Sequence, residues 1–238
     1  MNQSLRAVWI VALWFVASAV HGATLSIYTE SFIGWASYRS LFTSNGHGGY
    51  LERLATGGNS GSYLRFLSQP SEHVQGIGSW AMHTAATGRL AIDPATSGAI
   101  RSLSFSQDVK LFGGTASEIE TGLMLQQGGK VYVNRWPMAA GQAWTSRSRD
   151  RLNSTDFIAV STAPEGGFDE ASRPDFSSHA DPIVLGSYFL GLRFPASTTS
   201  AAIGIDNWRV DVDFVPEPGA VLSAAIAATG VAPLRRRR

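Results

Sequence analysis

Apolar and polar residues alternate with a period of two along most of the central part of the chain. The clearest stretch is 100–112, where serines, Asp108 and Lys110 occupy one face and four apolar residues occupy the other: Leu103, Phe105, Val109 and Leu111. This alternation is typical of a strand with one face in a core and one in water. No long segment has the i, i+3, i+4, i+7 apolar spacing of an amphipathic helix.

Six further stretches predict strands: Tyr63–Ser68, Thr121–Gln127, Lys130–Trp136, Asp156–Ser161, Tyr188–Phe194 and Ala201–Phe214. Gly128-Gly129 between two of them predicts a hairpin, because paired glycines permit positive φ at both turn positions. In 188–194 the even-numbered residues are expected to point inward, with a kink at Gly191. Stretches 46–61 and 163–182 lack periodicity and are interpreted as loops, the second as one wall of a binding site. The pattern predicts an all-β, two-sheet antiparallel β-sandwich.

The last predicted strand contains the most informative single residue. Trp208, Val210, Val212 and Phe214 share one face, and the same count places Asp206 on that apolar face. A carboxylate that points into a core must be paired, hydrogen-bonded or bound to a metal. Asp206 is therefore a candidate site residue.

The C-terminal segment 215–238 has three parts in order. Pro216-Glu217-Pro218 is followed by a 16-residue apolar run, 219–234, and then by Arg235, Arg236, Arg237 and Arg238. This order resembles the PEP-CTERM sorting signal of exported bacterial proteins. The resemblance implies transient retention in the inner membrane, cleavage near Pro216–Pro218 by an exosortase, and delivery to the cell surface or extracellular matrix. The alternative is an ordinary single-span anchor, although the run is shorter than the ~20 residues of a span.

The N-terminal segment 1–22 has the features of a signal peptide. Arg6 precedes an apolar stretch at 8–20, and small residues follow. We expect a signal peptidase to cut after Gly22, with Ala17-Ser18-Ala19 as a competing site and an uncleaved membrane anchor as the alternative. The chain is thus divided into a leader, a β-sandwich at 23–214 and the sorting segment, with an apolar helix expected at each end.

The charge of the central domain differs from that of the whole chain. The chain has 19 basic and 18 acidic residues. Without Arg6, the four terminal arginines and Glu217, 14 basic residues face 17 acidic ones. A nucleic-acid partner would need a basic surface and is therefore not expected. There is no cysteine, so an oxidising destination is tolerated without a disulfide framework.

Four short segments of the domain resemble exported jelly-roll modules: Glu30–Trp35, Gly48–Leu51, Gly57–Leu64 and Ile203–Val210. Together they are similar to β-sandwiches of the galactose-binding or laminin-G/concanavalin type. The resemblance implies non-catalytic carbohydrate binding, and a structural calcium ion held by Glu30 and Asp206. Calcium takes six to eight oxygen ligands and would neutralise an inward carboxylate. The alternatives are that Asp206 accepts backbone N–H groups at a strand end and that Glu30 is an exposed residue before an edge strand.

Tryptophans are candidates for stacking against sugar rings. Of the seven, four are assigned to the leader or the core: Trp9, Trp14, Trp35 and Trp208. Trp80, Trp136 and Trp144 remain, and the pair Trp136 and Trp144 is the preferred exposed platform. The alternative is that each fills the sandwich core, as large aromatic residues readily do.

Signatures of catalysis are sparse. Glu118 and Glu120 would share a strand face, roughly 6–7 Å apart, as in some glycosidases. Thr121 and Gly122 follow where further acids would be needed, so a solvated strand edge is the plainer interpretation. The histidines have no metal-binding spacing, and nucleophile-elbow and phosphate-loop motifs are absent. We therefore expect a binding protein, with a structural protein of the exopolysaccharide matrix and a glycoside hydrolase as alternatives.

Overall fold

Two antiparallel β-sheets pack face to face in this protein. They are seen in a computed structural model that describes residues 23–29, 32, 35–38, 49–68, 77–83, 91–113, 118–138, 141–160, 167–193 and 201–216. The predicted all-β sandwich is confirmed. The leader and all of the sorting segment beyond Pro216 lie outside these residues. Among the residues described, no helix is long and apolar enough to cross a membrane.

The first sheet has six strands in the order β11-β7-β15-β4-β3, with β1 also paired to β15. Their bounds are β1 Thr24–Thr29, β3 Gly49–Leu54, β4 Tyr63–Ser68, β7 Ile100–Gly113, β11 Thr145–Leu152 and β15 Ala201–Phe214. The long strand β15 pairs with β4 through its first half and with β1 through its second half. Strand β3 shows that the loop expected at 46–61 is wrong over 49–54.

The second sheet has nine strands in the order β13-β12-β9-β8-β14-β5-β2, with β10 paired to β8 and β6 to β14. Their bounds are β2 Trp35–Tyr38, β5 Ile77–His83, β6 Ala91–Ile92, β8 Glu118–Gln127, β9 Lys130–Val133, β10 Pro137–Met138, β12 Ile158–Val160, β13 Phe168–Asp169 and β14 Ile183–Arg193. A helix at Pro94–Ser97 and a 3₁₀ turn at Ser154–Asp156 connect strands.

The main core lies between the two sheets. Its largest fully buried side chains include Trp208, Phe105, Phe66, Phe157 and Phe189. The core position predicted for Trp208 is confirmed, since this side chain is 0% exposed. Burying such aromatic and aliphatic groups is the main favourable term in folding.

A polar bridge crosses this core. The Gln107 side chain on β7 donates to Thr121 Oγ1 at 3.2 Å, and Ser187 Oγ donates to Gln107 Oε1 at 3.1 Å. Both partners belong to the other sheet. Buried polar groups are tolerated when they satisfy one another, and here they also join the two layers.

The face assignment expected for Tyr188 is wrong. The next residue, Phe189, packs in the main core, whereas Tyr188 belongs to a second buried cluster with Met124 and Val133. Leu123 and Leu125, on either side of Met124, point into the main core, so the second cluster lies on the opposite face of the nine-stranded sheet. Because that sheet has apolar residues on both faces, period-two counting could not identify its inner one.

The turn predicted at Gly128-Gly129 is confirmed. Gln127 and Lys130 pair across it, and both glycines have positive φ, 56° and 77°. Gln127 then fixes the described part of the long 163–182 segment: its amide donates to Asp175 O at 2.7 Å and to Asp181 O at 2.9 Å. This segment therefore packs against the hairpin.

Candidate functional site

The outer face of the six-stranded sheet has two clusters side by side. We call the first the aromatic cup: Tyr63, Lys110, Phe112 and Trp144 around Gly204. We call the second the polar cluster: Asn59, Ser60, Asp108, Ser146, Asp206 and Asn207. Gly204 pairs with Lys110, and Asp206 pairs with Asp108 two residues further along the same strands. The clusters are thus about 7 Å apart along the sheet.

The aromatic cup closes over the backbone of one glycine. A methyl group at Gly204 would lie 2.6 Å from Phe112 Cε2, 2.8 Å from Trp144 Cη2 and 3.1 Å from Tyr63 Cδ2. The rings of Tyr63 and Phe112 stack at a centroid distance of 5.2 Å. Trp144 stands edge-on to both, at 5.5 and 6.0 Å. Only a residue without a side chain leaves room for three rings at this point of the sheet.

The cup is partly open to solvent. Phe112 is 36% exposed and Trp144 is half-buried, whereas Tyr63 forms the buried floor. Lys110 Nζ lies 4.8 Å from the Phe112 centroid, a cation–π contact. Burial raises the pKa of Tyr63 above its ordinary value of 10, and the hydroxyl can donate a hydrogen bond at neutral pH.

Asp108 is the centre of the polar cluster. Its Oδ2 accepts hydrogen bonds from Asn59 Nδ2 at 2.7 Å and Asn207 Nδ2 at 2.6 Å, and its Oδ1 accepts one from Ser146 Oγ. Burial alone would raise the pKa of Asp108, but these three bonds outweigh it and hold the pKa below its ordinary value. Asp108 is therefore an ionised, pre-oriented group that ties three strands and a loop together.

The prediction that Asp206 shares the apolar face of β15 is wrong. Asp206 pairs with Asp108 and Arg209 pairs with Ser106, so Asn207 and Trp208 together oppose one residue, Gln107. This is a β-bulge, and Asn207 adopts the positive φ of 48° that the extra residue requires. The bulge turns Asp206 away from the core and leaves Trp208 inside it.

Asp206 is nevertheless fully buried, because the 57–62 loop covers it. Ser60 N donates to its Oδ2 at 3.0 Å and Asn207 N donates to its Oδ1 at 2.7 Å. Backbone donation to this carboxylate, one of the two interpretations of Asp206, is thus present. The other interpretation requires oxygen ligands for calcium.

Three oxygens surround Gly58 next to Asp206, and we call them the oxygen cradle. A methyl group at Gly58 would lie 2.6 Å from Asp206 Oδ2, 2.9 Å from Gly61 O and 3.2 Å from Ser62 O. Carboxylate and carbonyl oxygens are ligand types of Ca²⁺, which takes six to eight, and Gly61 O already accepts from Gly58 N at 2.8 Å, so the cradle supplies only part of a calcium ligand set. Glu30, the other predicted ligand, lies outside the described residues. Over the described ranges, no group of three or more histidine, aspartate or glutamate side chains is arranged for a metal.

A cleft of about 380 Å³ adjoins the polar cluster. Its lining is mostly hydroxyl, amide and guanidinium groups, with the Asp108 carboxylate among them: Tyr28, Ser106, Gln107, Asp108, Ser146, Arg147, Ser148, Asn207 and Arg209. Tyr28 is 51% exposed and donates through its hydroxyl to Asn207 Oδ1 at 3.2 Å. The outer face therefore presents hydrogen-bond donors and acceptors beside two aromatic surfaces, the aromatic cup and the ring of Tyr28.

The structure places Trp136 in a different cluster from Trp144. Trp136 precedes β10, packs edge-to-face on Phe105 at 6.5 Å and lies under Arg147, whose Cζ is 3.9 Å from the ring centroid. The pair is therefore separated into two environments, one on the outer face and one against the core. The strands that contain Trp35 and Trp80 are described, but their side chains are not.

The interpretation of Glu120 as a solvated strand-edge residue is wrong. Strand β8 lies inside its sheet, and Glu120 is 4% exposed and forms two hydrogen bonds with Arg135, at 2.9 and 2.5 Å. These hydrogen bonds raise the pKa of Arg135. Glu120 thus has a structural counter-ion. The side chain of Glu118 is not described.

Several site residues escaped sequence reasoning: Tyr28, Asn59, Tyr63, Phe112, Ser146 and Gly204. The alternation of 100–112 had already placed Asp108 and Lys110 on the outer face. That pattern also contained a signal for Phe112, since an aromatic residue on the polar side of a strand has no core to enter.

Neither a protein-family model nor a curated protein matches this sequence. Some solved structures are similar to it. One is a carbohydrate-binding module of the β-sandwich superfamily, at a TM-score of 0.43 and 10% identity over 76% of this chain and 61% of that one, so about three fifths of that protein is spanned. A xylan-binding domain from Paenibacillus barcinonensis has a TM-score of 0.40 and 12% identity, over 82% and 97%. A cleaved adhesin domain of Lys-gingipain from Porphyromonas gingivalis has a TM-score of 0.42 and 12% identity, over 81% and 99%.

Proposed function

We propose that the β-sandwich binds carbohydrate without catalysing a reaction, and that the aromatic cup is its main contact. The main support for the proposal is that three aromatic rings converge over Gly204 on a sheet face exposed to solvent. Aromatic faces pack against the C–H faces of sugar rings, and a few well-placed polar groups then fix orientation.

The polar cluster and the cleft beside it supply those polar groups. Asp108 and Asp206 lie two residues beyond Lys110 and Gly204 on the same strands, and both are buried, so they hold the exposed residues Asn59 and Ser60 near the cup and do not themselves contact a ligand. The hydrogen bonds from Asn59 and Ser60 to these carboxylates set the positions of the exposed polar groups before a ligand arrives. Preorganisation of this kind lowers the entropy cost of binding.

A polysaccharide pull-down with the purified full chain tests this proposal. Retention should be saturable and should be competed by free oligosaccharide of the same composition. Absence of retention on every polymer tried, by protein with the circular dichroism spectrum of a folded β-sandwich, would contradict it.

We propose further that calcium occupies the oxygen cradle at Asp206 and stabilises the 57–62 loop. We expect millimolar calcium to raise the melting temperature of the wild-type chain by a few degrees, since ligands of the native state stabilise it by mass action. Asp206→Asn should abolish this increment, because the amide keeps the shape of the carboxylate but loses its charge. Thermal melts in calcium, magnesium and chelator measure the effect.

Equal wild-type melting temperatures in calcium and chelator would remove the calcium proposal. The Asp206→Asn variant is also expected to melt lower than wild type in chelator, because the backbone bonds from Ser60 and Asn207 lose their charged acceptor. The calcium proposal is therefore tested only by the rise in melting temperature that calcium causes.

We propose that the chain is exported and processed by an exosortase, on the basis of the Pro216-Glu217-Pro218, apolar and tetra-arginine order. Intact-mass and terminal-sequence analysis of the surface or matrix fraction should find a chain that begins at Ala23 and ends near Pro216–Pro218. Changing Arg235–Arg238 to alanine should leave an unprocessed tail, since it removes the positive charge that holds the cytoplasmic end. A mature chain that still ends at residue 238 would contradict this route.

A further inference from the structure

Two arginines of β11 stack on Trp136 at the edge of the sandwich. Arg147 Cζ lies 3.9 Å and Arg149 Cζ lies 5.0 Å from the centroid of the indole ring. The two residues are two positions apart on the strand, so their side chains lie on the same face. The ring also makes an edge-to-face contact with Phe105 in the core.

This pair has positive charge without a described counter-ion. The ion pairs found among the described residues use Arg65, Arg101, Arg135 and Arg209. Arg147 Nη2 donates to Pro137 O at 2.9 Å, whereas its Nη1 is buried and has no partner within the described part of the chain. Burial and the adjacent charge of Arg149 lower the pKa of Arg147. The two guanidinium groups therefore repel each other and leave one donor unused.

We propose that Arg147 and Arg149, held on Trp136, bind the carboxylate or sulfate group of an acidic polysaccharide. An oxyanion between the guanidinium groups would relieve their repulsion. Guanidinium forks match planar oxyanions bidentately, and stacking on an indole orients the fork before binding. This inference rests on the proposed function in taking a polysaccharide as the ligand. The arginine site shares no residue with the aromatic cup, and Arg147 also lines the cleft beside the polar cluster.

The surroundings set the strength of the interaction. The residues between the two terminal segments include 14 basic and 17 acidic ones, so long-range attraction of a polyanion is not expected. The electrostatic attraction of an acidic polymer is therefore confined to the arginine pair. It should weaken as salt is added, because the Debye length is about 10 Å at 0.1 M salt.

Binding of the full chain to polygalacturonate, dextran sulfate and neutral dextran tests the proposal. Arg235–Arg238 are changed to alanine in every sample, including the one called wild type below, because these four arginines would bind acidic polymers themselves. At low salt the wild-type chain should bind one of the two acidic polymers about tenfold or more tightly than dextran. The double variant Arg147→Gln/Arg149→Gln keeps side-chain length but removes both charges, and it should lose that difference. Arg101→Gln, an exposed arginine paired with Asp213, is the matched control and should bind as wild type does.

The two acidic polymers distinguish a carboxylate ligand from a sulfate ligand, and sodium acetate and sodium sulfate as competitors show whether the anion alone suffices. Acidic-polymer binding that survives in the folded double variant overturns the proposal. Should that variant fail to fold, Arg149→Gln alone leaves the more constrained Arg147 in place and should still weaken binding, by about threefold or more; unchanged binding overturns the proposal.

Failure of this site and failure of the aromatic cup give different results. If Trp144→Ala abolishes binding to neutral polymers while the arginine variants change nothing, the cup stands and the anion site is wrong. If the arginine variants lose acidic polymers while no glycan responds to Trp144→Ala, the anion site stands and the proposed function of the cup is wrong.

Discussion

Replacing Trp144 by alanine is expected to weaken carbohydrate binding by about tenfold or more, because truncating an aromatic anchor at the centre of a binding site typically costs about 2 kcal/mol or more. Trp144 is the ring that stands edge-on to both Tyr63 and Phe112. Its loss removes one wall of the aromatic cup and frees Phe112 to move. Isothermal titration calorimetry with the polymer selected by pull-down measures the change.

The fold should survive this substitution, because Trp144 lies on the outer face and is not part of the main core. Leu25→Ala is a matched control, since Leu25 is an exposed apolar residue on the edge strand β1, 43% exposed. It should leave affinity unchanged. Wild-type affinity in a folded Trp144→Ala variant would show that the cup is not the binding surface.

Removing the Asp108 carboxylate should cause the largest loss of stability among the polar residues. Asp108→Ala leaves three donors, on Asn59, Ser146 and Asn207, without their acceptor. Hydrogen bonds to charged groups are worth about 1.5–3 kcal/mol each and are not additive, so we expect the free energy of unfolding to fall by about 2–4 kcal/mol at pH 7. Asp150→Ala, an exposed carboxylate on β11, should change it by about 0.5 kcal/mol or less.

The pH dependence of this loss follows from the lowered pKa of Asp108. The folded state holds this proton less tightly than the unfolded chain does, so the carboxylate stabilises the fold above its ordinary pKa of 3.8. That contribution disappears as the pH falls through the lower, folded-state pKa. Urea denaturation at pH 7 and near pH 3 should therefore show the gap between wild type and Asp108→Ala narrowing in acid. A gap of the same size at both pH values would contradict the role given to Asp108.

Strands with one solvent-exposed face were predictable from the local alternation of apolar and polar residues alone. Tyr63–Ser68 and Ala201–Phe214 coincide with β4 and β15, and the face assignment within 100–112 holds residue by residue. In these strands burial on one side imposes alternation. Strand β14 is apolar on both faces, so the same counting placed Tyr188 on the wrong side.

The bulge at Asn207 shows a second limit. One extra residue in β15 reverses the face of every position before it, and alternation cannot reveal this without a local signal. Asn tolerates positive φ better than most residues, so an Asp-Asn pair inside a strand pattern was the available hint.

The candidate site depended on contacts that are distant in sequence. Trp144 was identified, but Tyr63, Phe112 and Gly204 join it only through the pairing of β15 with β4 and β7. Glu120 likewise acquires Arg135 as its partner through the folding of β8 and the chain that follows β9. Registers between strands are set by the whole sheet, and local residue patterns do not contain them.

A glycan array should be probed with the full chain, in calcium and in chelator. We expect saturable binding to a defined set of glycans, and we expect the Trp144→Ala variant to lose it. Binding that is absent in both buffers, from protein that melts cooperatively, would contradict carbohydrate recognition by this sandwich.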